Sequence, residues 1–220
     1  MYLGTLYYTF QEAIPSMLVK KIIAAGTKNI KGKYKSTKIE EAKTGHGSPE
    51  GKSKLRHRKS EVAWIQEQWL FNLLLPYVDE ANKQAGWNFV WDQCEPAQFT
   101  QYRKDGYYRW HMDGRSDSGG VYGDTGHDGK PTPLNWRGKV RKLSVTLSLN
   151  ANYTGGDFEV MTDSYYDEES DGMIRDIKLP DIRKPGSLVV FPAFLHHRVT
   201  PIIKGTRHSV VLWCLGPPFK

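Results

Sequence analysis

Cysteine is scarce in this sequence. The 220 residues contain two cysteines, Cys94 and Cys214, and Cys214 has apolar, strand-like neighbours. Two cysteines cannot form the disulfide framework of a small secreted domain, and buried free thiols are typical of a reducing compartment. We therefore expect no disulfide here.

Long apolar runs are also missing. No stretch approaches the roughly 20 apolar residues that a helix needs to span a bilayer. The first 26 residues carry Gln11, Glu12 and Pro15 inside their apolar stretch and lack a basic start, unlike a secretory signal peptide. We expect a cytoplasmic protein without membrane contact.

Acidic residues are rare in one basic segment. Residues 20–59 hold 13 Lys and Arg against 3 Asp and Glu, a balance of +10, so the remainder of this +7 chain carries −3. A basic segment can bind nucleic acid, but Tyr34 is its only aromatic residue and it contains no binding motif. We favour a flexible, solvated insert and do not expect nucleic acid as a partner; a nucleic-acid-binding patch is the alternative.

The remaining pattern predicts one domain, residues 1–220, that is mainly β with supporting helices (α+β). The predicted helices are Ile14–Ala25, which Gly26 ends, and Trp64–Ala85, which Pro76 kinks or splits. The predicted strands are Thr5–Phe10, Trp87–Trp91, Ala97–Tyr102, Lys142–Asn150, Phe158–Met161, Ser187–Phe191, His196–Ile203 and Thr206–Cys214. Residues 27–53, 114–138 and 163–176 are predicted loops. Short strands with tight turns favour a sandwich or jelly roll with the helices outside and a barrel core at about residues 87–216.

Two potential metal ligands lie at the end of the aromatic segment YRKDGYYRWHMDG, residues 102–114. They are His111 and Asp113, whose side chains point to one face if the segment is a strand. With a second histidine they would form a two-His-one-carboxylate set, which leaves one face of an octahedral Fe(II) open. His127 is a poor candidate, because a glycine-rich loop holds a ligand loosely.

The strand Lys142–Asn150 alternates between apolar and polar residues. Its polar face, which includes Ser144, Thr146 and Ser148, is wet in an open sheet and lines a polar pocket in a closed barrel. The sequence leaves both alternatives open.

Three motifs follow one another: H-x-D at His111 and Asp113, H-R-V-T-P at His197, and G-T-R-x-S with Arg207 and Ser209. Together they resemble the Fe(II)- and 2-oxoglutarate-dependent dioxygenases, and most closely the prolyl 4-hydroxylase-like branch with its small bacterial and phage hydroxylases. The resemblance covers residues 55 to 216. It implies a distorted double-stranded β-helix, a cupin-like jelly roll, in agreement with the strand pattern.

The resemblance also implies roles for single residues. His111, Asp113 and His197 would be the iron ligands and the catalytic centre. The residues that would bind 2-oxoglutarate are Arg207, Tyr102, Ser209 and Ser148. The residue that would border the substrate is Trp213. Arg suits a carboxylate because its planar fork binds both oxygens. Core packing is the alternative role of Tyr102 and the favoured role of Trp213.

By resemblance, the cofactors are Fe(II), 2-oxoglutarate as cosubstrate and O2, with ascorbate as a reductant. The implied reaction hydroxylates an unactivated C–H bond, foremost in a prolyl residue of a protein or peptide, and releases succinate and CO2. Hydroxylation of a free amino acid or other small molecule is the alternative. A cupin-like metal-binding module without turnover is the non-catalytic alternative, against which the intact motif set argues.

Overall fold

The computed structural model describes residues 3–34, 57–115, 120–126, 129–167, 172–178 and 180–219. In these ranges the chain forms two α-helices, α1 (Ser16–Tyr34) and α2 (Gln68–Gln84), and a short 3-10 helix, Leu134–Trp136. The strands are β1 (Tyr8–Phe10), β2 (Arg58–Lys59), β3 (Glu61–Ile65), β4 (Gln93–Cys94), β5 (Ala97–Tyr102), β6 (Tyr107–His111), β7 (Val140–Ser148), β8 (Tyr153–Gly155), β9 (Phe158–Asp167), β10 (Gly172–Lys178), β11 (Leu188–Pro192), β12 (His197–Val199), β13 (Ile202–Gly205) and β14 (Arg207–Gly216). Neither helix is long and apolar enough to span a membrane, within the part of the chain that is described.

A larger sheet carries the two helices. Its strand order is β1-β11-β7-β14-β5-β3, and β4 pairs with β14 outside this path. Apolar side chains of β7, β14 and both helices form the main core cluster. Leu143, Val145 and Leu147 of β7 belong to that cluster, while Ser144, Thr146 and Ser148 alternate with them and are also buried. The alternative of a wet polar face on β7 is therefore wrong.

A second sheet faces the larger one. It runs β10-β9-β12-β6-β2, and β13 and β8 form a separate pair. A second core cluster joins Tyr102 and Phe191 of the larger sheet to Phe158, Val160 and Val199 of the smaller one. The site described below lies between these two antiparallel sheets. This mainly β, two-sheet arrangement confirms the predicted fold class.

The N-terminal half differs from the prediction in three places. Helix α1 continues through Gly26 to Tyr34, and Gly26 is buried against the Phe99 ring. Trp64 lies in β3, not in the helix that follows, and α2 runs unbroken across Pro76. Residues 87–91 form no strand. The extension of α1 through Gly26 has a packing cause, because only a residue without a side chain fits where the helix touches the sheet.

The C-terminal half differs in two places. The predicted loop 163–176 is largely a hairpin of β9 and β10, paired from Gly172 with Asp167 to Lys178 with Val160. Acidic residues lower the β-propensity of this stretch, but backbone pairing overrides that preference. The predicted strand His196–Ile203 is two strands, β12 and β13, interrupted at Thr200 and Pro201. Proline has no amide to donate to a ladder.

The predicted insert, residues 20–59, is structured at both ends. Its first part belongs to α1 and its last two residues form β2. Residues 35–56 and the competing metal candidate His127 lie outside the described residues.

Candidate active site

The three motif side chains come together between the sheets. His111 ends β6, His197 opens β12, and the two residues pair in register on neighbouring strands. One ligand atom from each of His111, Asp113 and His197 lies within 4.8 Å of the others. Among the described residues, no other three His, Cys, Asp or Glu side chains form such a group.

Asp113 reaches this group by a turn and not by the strand pleat, because β6 ends at His111. The backbone amides of Asp113 and Gly114 both donate to the Ala193 carbonyl, at 2.9 and 2.8 Å. One carboxylate oxygen lies 3.6 Å from His111 Nε2, and the other lies 3.5 Å from His197 Nε2.

Both imidazoles are oriented by backbone carbonyls. His111 Nδ1 lies 2.8 Å from the Arg109 oxygen, and His197 Nδ1 lies 2.9 Å from the Leu195 oxygen. A carbonyl can only accept, so each Nδ1 carries a proton; when a ring is neutral, its lone pair is then on Nε2, the nitrogen nearer Asp113. This is the tautomer that a metal ligand needs.

The charges of the group also suit a metal ion. Burial by itself raises the pKa of Asp113, but His197 and His111 outweigh it and hold that pKa well below its usual range. Burial, aided by His111, lowers the pKa of His197 to about 4, although Asp113 opposes the shift. Near neutral pH the cluster therefore offers a carboxylate and a neutral His197, the forms that bind metal.

A serine on the larger sheet holds the carboxylate. Ser144 Oγ donates to Asp113 Oδ2 at 2.8 Å.

The ring of Tyr108 stacks on His111 with centroids 3.5 Å apart, and the Arg58 guanidinium lies 4.7 Å from the Tyr108 ring. The pairing of β6 with β12 has a register shift between Tyr108 and His111, and the two rings lie on the same face of β6. Burial raises the pKa of Tyr108 to about 12.

The predicted cosubstrate residues also meet in the interior. Arg207 is 2% exposed, pairs in register with Tyr102, and donates from Nη1 to Ser209 Oγ at 3.0 Å. Its Nε is buried and has no hydrogen-bond partner in the part of the chain that the structure describes. Arg207 and Ser148 line a cavity of about 320 Å³, which also borders Phe158, and the Phe158 ring packs against His197.

A second arginine, partly buried, lies on the other side of Asp113. Arg141 donates from Nε and Nη2 to the Glu95 carboxylate, the latter at 2.7 Å, and from Nη1 to the Asp113 backbone oxygen at 3.2 Å. Its guanidinium lies 4.1 Å from the Trp213 ring centre. Tyr122 donates its hydroxyl to Glu95 at 2.6 Å. Glu95, Arg141 and Trp213, here called the arginine clamp, thus form one connected group beside the metal-ligand cluster.

Trp213 lies on the strand face that the sequence alternation predicted. It shares a face of β14 with Arg207 and Ser209 and pairs in register with Ser144. Its Nε1 is buried with no hydrogen-bond partner in the described structure. The prediction missed Ser144, Glu95 and Arg141; the polar face of β7 was the available signal for Ser144.

Comparison with known proteins identifies the family. The family model of the 2OG-Fe(II) oxygenase superfamily matches residues 97–215, slightly more than half of the chain. The chain belongs to this superfamily. Members of the superfamily use Fe(II), 2-oxoglutarate and O2.

Individual relatives of this oxygenase are hydroxylases. A PKHD-type hydroxylase of Xylella fastidiosa strain M12 is 32% identical over 120 residues, which cover 54% of this chain and 43% of that protein. The oxygenase thus matches less than half the length of that relative.

Solved structures share the fold. A viral collagen prolyl hydroxylase from Paramecium bursaria Chlorella virus-1 has a TM-score of 0.59 at 15% identity, with 97% of both chains covered. A prolyl hydroxylase from Trichoplax adhaerens, solved with a hypoxia-inducible-factor peptide fragment, has a TM-score of 0.59 at 16% identity and covers 96% of this chain and 84% of that one.

The residues of this oxygenase fit the cofactors of its superfamily. Two neutral imidazole nitrogens and a carboxylate are a donor set for non-haem Fe(II). Arg207 is a buried cation with no carboxylate hydrogen-bonded to it in the described part of the chain, and it faces a cavity. A buried unpaired charge is costly, so this side chain suits an anionic ligand.

Proposed function

We propose that this chain is an Fe(II)- and 2-oxoglutarate-dependent dioxygenase that hydroxylates a prolyl residue of a protein or peptide, with release of succinate and CO2. The observation that carries the proposal is the pairing of the His111–Asp113–His197 cluster with Arg207. Arg207 is a fully buried guanidinium that has no carboxylate partner among the described residues, and it lines the cavity next to the cluster.

In this proposal, His111, Asp113 and His197 hold the iron. Arg207 binds the distal carboxylate of 2-oxoglutarate, Ser209 and Ser148 add hydroxyls beside it, and Tyr102 forms a wall of the same pocket. The bound iron, with 2-oxoglutarate and O2, supplies the oxidising chemistry.

The protein's own part is to orient and to shield. Carbonyl oxygens fix both imidazole tautomers, and Ser144 fixes the carboxylate. The rings of Phe158 and Phe191 pack against His197 at centroid distances of 5.6 and 4.8 Å. Such a wall keeps water from one side of the cluster, which strengthens the electrostatic interactions inside it.

The arginine clamp supports a peptide as the substrate. Glu95 occupies two nitrogens of Arg141, and the third reaches the Asp113 carbonyl at the long distance of 3.2 Å. That nitrogen can donate to a carbonyl of a bound peptide, whereas the Trp213 ring is only 6% exposed. The similar proteins described above, a PKHD-type hydroxylase and two prolyl hydroxylases, point to the same substrate class.

Anaerobic titration tests the cofactor half of the proposal. Adding 2-oxoglutarate to the Fe(II)-loaded protein should produce a visible chelation band. His197→Ala should abolish this band, and Arg207→Ala should weaken 2-oxoglutarate binding while Fe(II) binding persists. A His197→Ala protein with the full band would contradict the ligand assignment.

Turnover tests the substrate half. The protein, Fe(II), 2-oxoglutarate and ascorbate are incubated with proline-containing peptides, the same peptides with alanine in place of proline, and free amino acids. We expect succinate and a gain of one oxygen atom only with the proline peptides. Oxygen gained by free amino acids instead would favour the small-molecule alternative.

A further inference from the structure

The two cysteines face each other across neighbouring strands. Cys94 of β4 pairs in register with Cys214 of β14, and their sulfur atoms lie 3.3 Å apart. The Glu95 amide donates to the Trp213 carbonyl at 3.0 Å, which makes Cys94 and Cys214 a non-hydrogen-bonded pair. Cα atoms in such pairs are about 4.5 Å apart, within the range of about 4.4–6.8 Å that a disulfide spans. Both thiols are free, as expected, but they are adjacent.

The pair lies directly behind the arginine clamp. Cys214 is fully buried in the core cluster beneath the helices, and Cys94 packs against the same cluster. The next residue after Cys94 is Glu95, and the residue before Cys214 is Trp213; both belong to the arginine clamp. Each thiol is thus next in sequence to one residue of the clamp, whose third residue, Arg141, lies on the neighbouring strand β7.

We propose that Cys94 and Cys214 are a reversible oxidation site, which hydrogen peroxide converts into a disulfide that shifts the arginine clamp. The clamp's role in binding substrate rests on the proposed function; the disulfide does not. The structure assigns the first reaction to Cys94, because Cys94 is partly exposed and Cys214 is buried.

The chemistry balances in two steps. The Cys94 thiolate attacks one peroxide oxygen, the O–O bond breaks, and with protonation this gives a sulfenic acid and one water. Cys214 sulfur then attacks the sulfenic sulfur; the S–S bond forms, the S–O bond breaks, and the hydroxide takes the Cys214 proton as a second water. Burial, and then the hydrogen bond with Cys94, raise the pKa of Cys214, so this residue remains a thiol until that step.

The disulfide should displace β4. Its formation brings the sulfurs from 3.3 Å to about 2.05 Å. Strand β4 has two residues and pairs with β14 alone in the described part of the chain, whereas β14 is held by β5 and β7 as well. The movement therefore falls on β4 and on Glu95, whose carboxylate holds Arg141.

The first test is chemical and needs no substrate. Metal-free protein in chelator is treated with hydrogen peroxide, and catalase then removes the excess. We expect loss of both thiols, a monomer lighter by two hydrogen atoms, a 94–214 cross-linked peptide, and slower hydrogen exchange at the Glu95 amide, all reversed by dithiothreitol. Cys94→Ser, and independently Cys214→Ala, should show neither the cross-link nor the slower exchange. Two free thiols after treatment, or a cross-link without altered exchange, would overturn the proposal.

The second test concerns the clamp. Oxidised and reduced proteins are loaded with Fe(II) and given the best proline peptide from the turnover assay, without thiols. We expect the oxidised protein to turn over the peptide several-fold more slowly, and dithiothreitol to restore the rate in the wild type. Equal rates before and after oxidation would refute the link to the clamp. If even the reduced protein accepts no peptide, the proposed function fails. The hydrogen-exchange measurement still decides whether a Cys94–Cys214 disulfide forms and alters β4.

Discussion

At the scale of single residues, the buried Arg207 and the partly buried Arg141 have opposite electrostatic surroundings. Arg141 is paired with the Glu95 carboxylate, and although burial by itself lowers its pKa, Glu95 outweighs that effect and raises it. Arg207 has a serine and an aromatic ring beside it, with no carboxylate hydrogen-bonded to it among the described residues. A protein keeps such an unpaired charge at a cost in stability when a ligand needs it.

Replacing the two arginines should therefore change stability in opposite directions. In the metal-free and 2-oxoglutarate-free protein, Arg207→Met should raise the free energy of unfolding by about 1–2 kcal/mol, because it removes an uncompensated buried charge. The matched control Arg141→Met should lower it by about 3 kcal/mol, because it leaves Glu95 buried without its partner. Urea unfolding measures both. A destabilised Arg207→Met protein would mean that Arg207 already has an adequate partner.

Ser144 should control metal affinity through Asp113. Ser144→Ala removes the 2.8 Å hydrogen bond to Asp113 Oδ2, and loss of such a supporting contact typically weakens metal binding by about 10- to 100-fold. Mn(II) titration of the metal-free protein measures the change. Thr146→Val is the control, because it removes a hydroxyl two residues along the same strand face. Equal affinities of the two variants would contradict a specific role of Ser144.

Several of the residues predicted from sequence stand in short motifs, whereas Tyr102, Ser148 and Trp213 were implied by the family resemblance. His111 and Asp113 are two residues apart, and Arg207 and Ser209 share a strand face, so spacing alone links them. Ser144 and Glu95 meet their partners only through sheet pairing and a turn, and no spacing in the sequence encodes the contact between Ser144 and Asp113. Arg141 was missed for the same reason, since its partner Glu95 is 46 residues away.

At the scale of elements, helix α1 illustrates a local signal that packing overrides. Glycine commonly follows the last residue of a helix, so Gly26 predicted the end of α1. The structure instead places Gly26 inside the helix, where an added Cβ would come within 2.6 Å of three Phe99 ring atoms. The glycine thus permits a close approach of helix and sheet. The β9–β10 hairpin likewise arises from backbone pairing that its acidic composition does not encode.

Gly26→Ala should consequently destabilise the protein, although alanine is the better helix former. Helix propensity favours alanine by about 1 kcal/mol, but overpacking a core contact costs about 1–3 kcal/mol, and Phe99 is fully buried. We expect a net loss of about 1 kcal/mol in urea unfolding. Lys28→Ala, at an exposed position of the same helix, should change stability by less than about 0.5 kcal/mol. A stabilised Gly26→Ala protein would show that α1 can move away from the sheet.

At the scale of the whole molecule, the candidate site links the two sheets. His111 and His197 belong to β6 and β12 of the smaller sheet, whereas Ser144 and Arg207 belong to β7 and β14 of the larger one. A metal ion and a dicarboxylate bound between them would add a further link to the core packing and the hydrogen bonds that already join the two sheets. The sequence predicted this two-sheet architecture from strand alternation, but not which strands would face one another.

Ligand binding should therefore stabilise the molecule in two separable steps. A ligand at 100 times its dissociation constant adds about 2.7 kcal/mol, and for a domain of this size 1 kcal/mol raises the melting temperature by about 2–4 °C. Thermal unfolding with Mn(II), and then with Mn(II) and 2-oxoglutarate, should give two successive increases. Arg207→Met should retain the Mn(II) step and lose the 2-oxoglutarate step, whereas His197→Ala should lose both. The two increases in melting temperature thus test the metal cluster and the carboxylate site separately, and neither measurement needs turnover. A second step that survives in Arg207→Met would place the dicarboxylate elsewhere than beside Arg207.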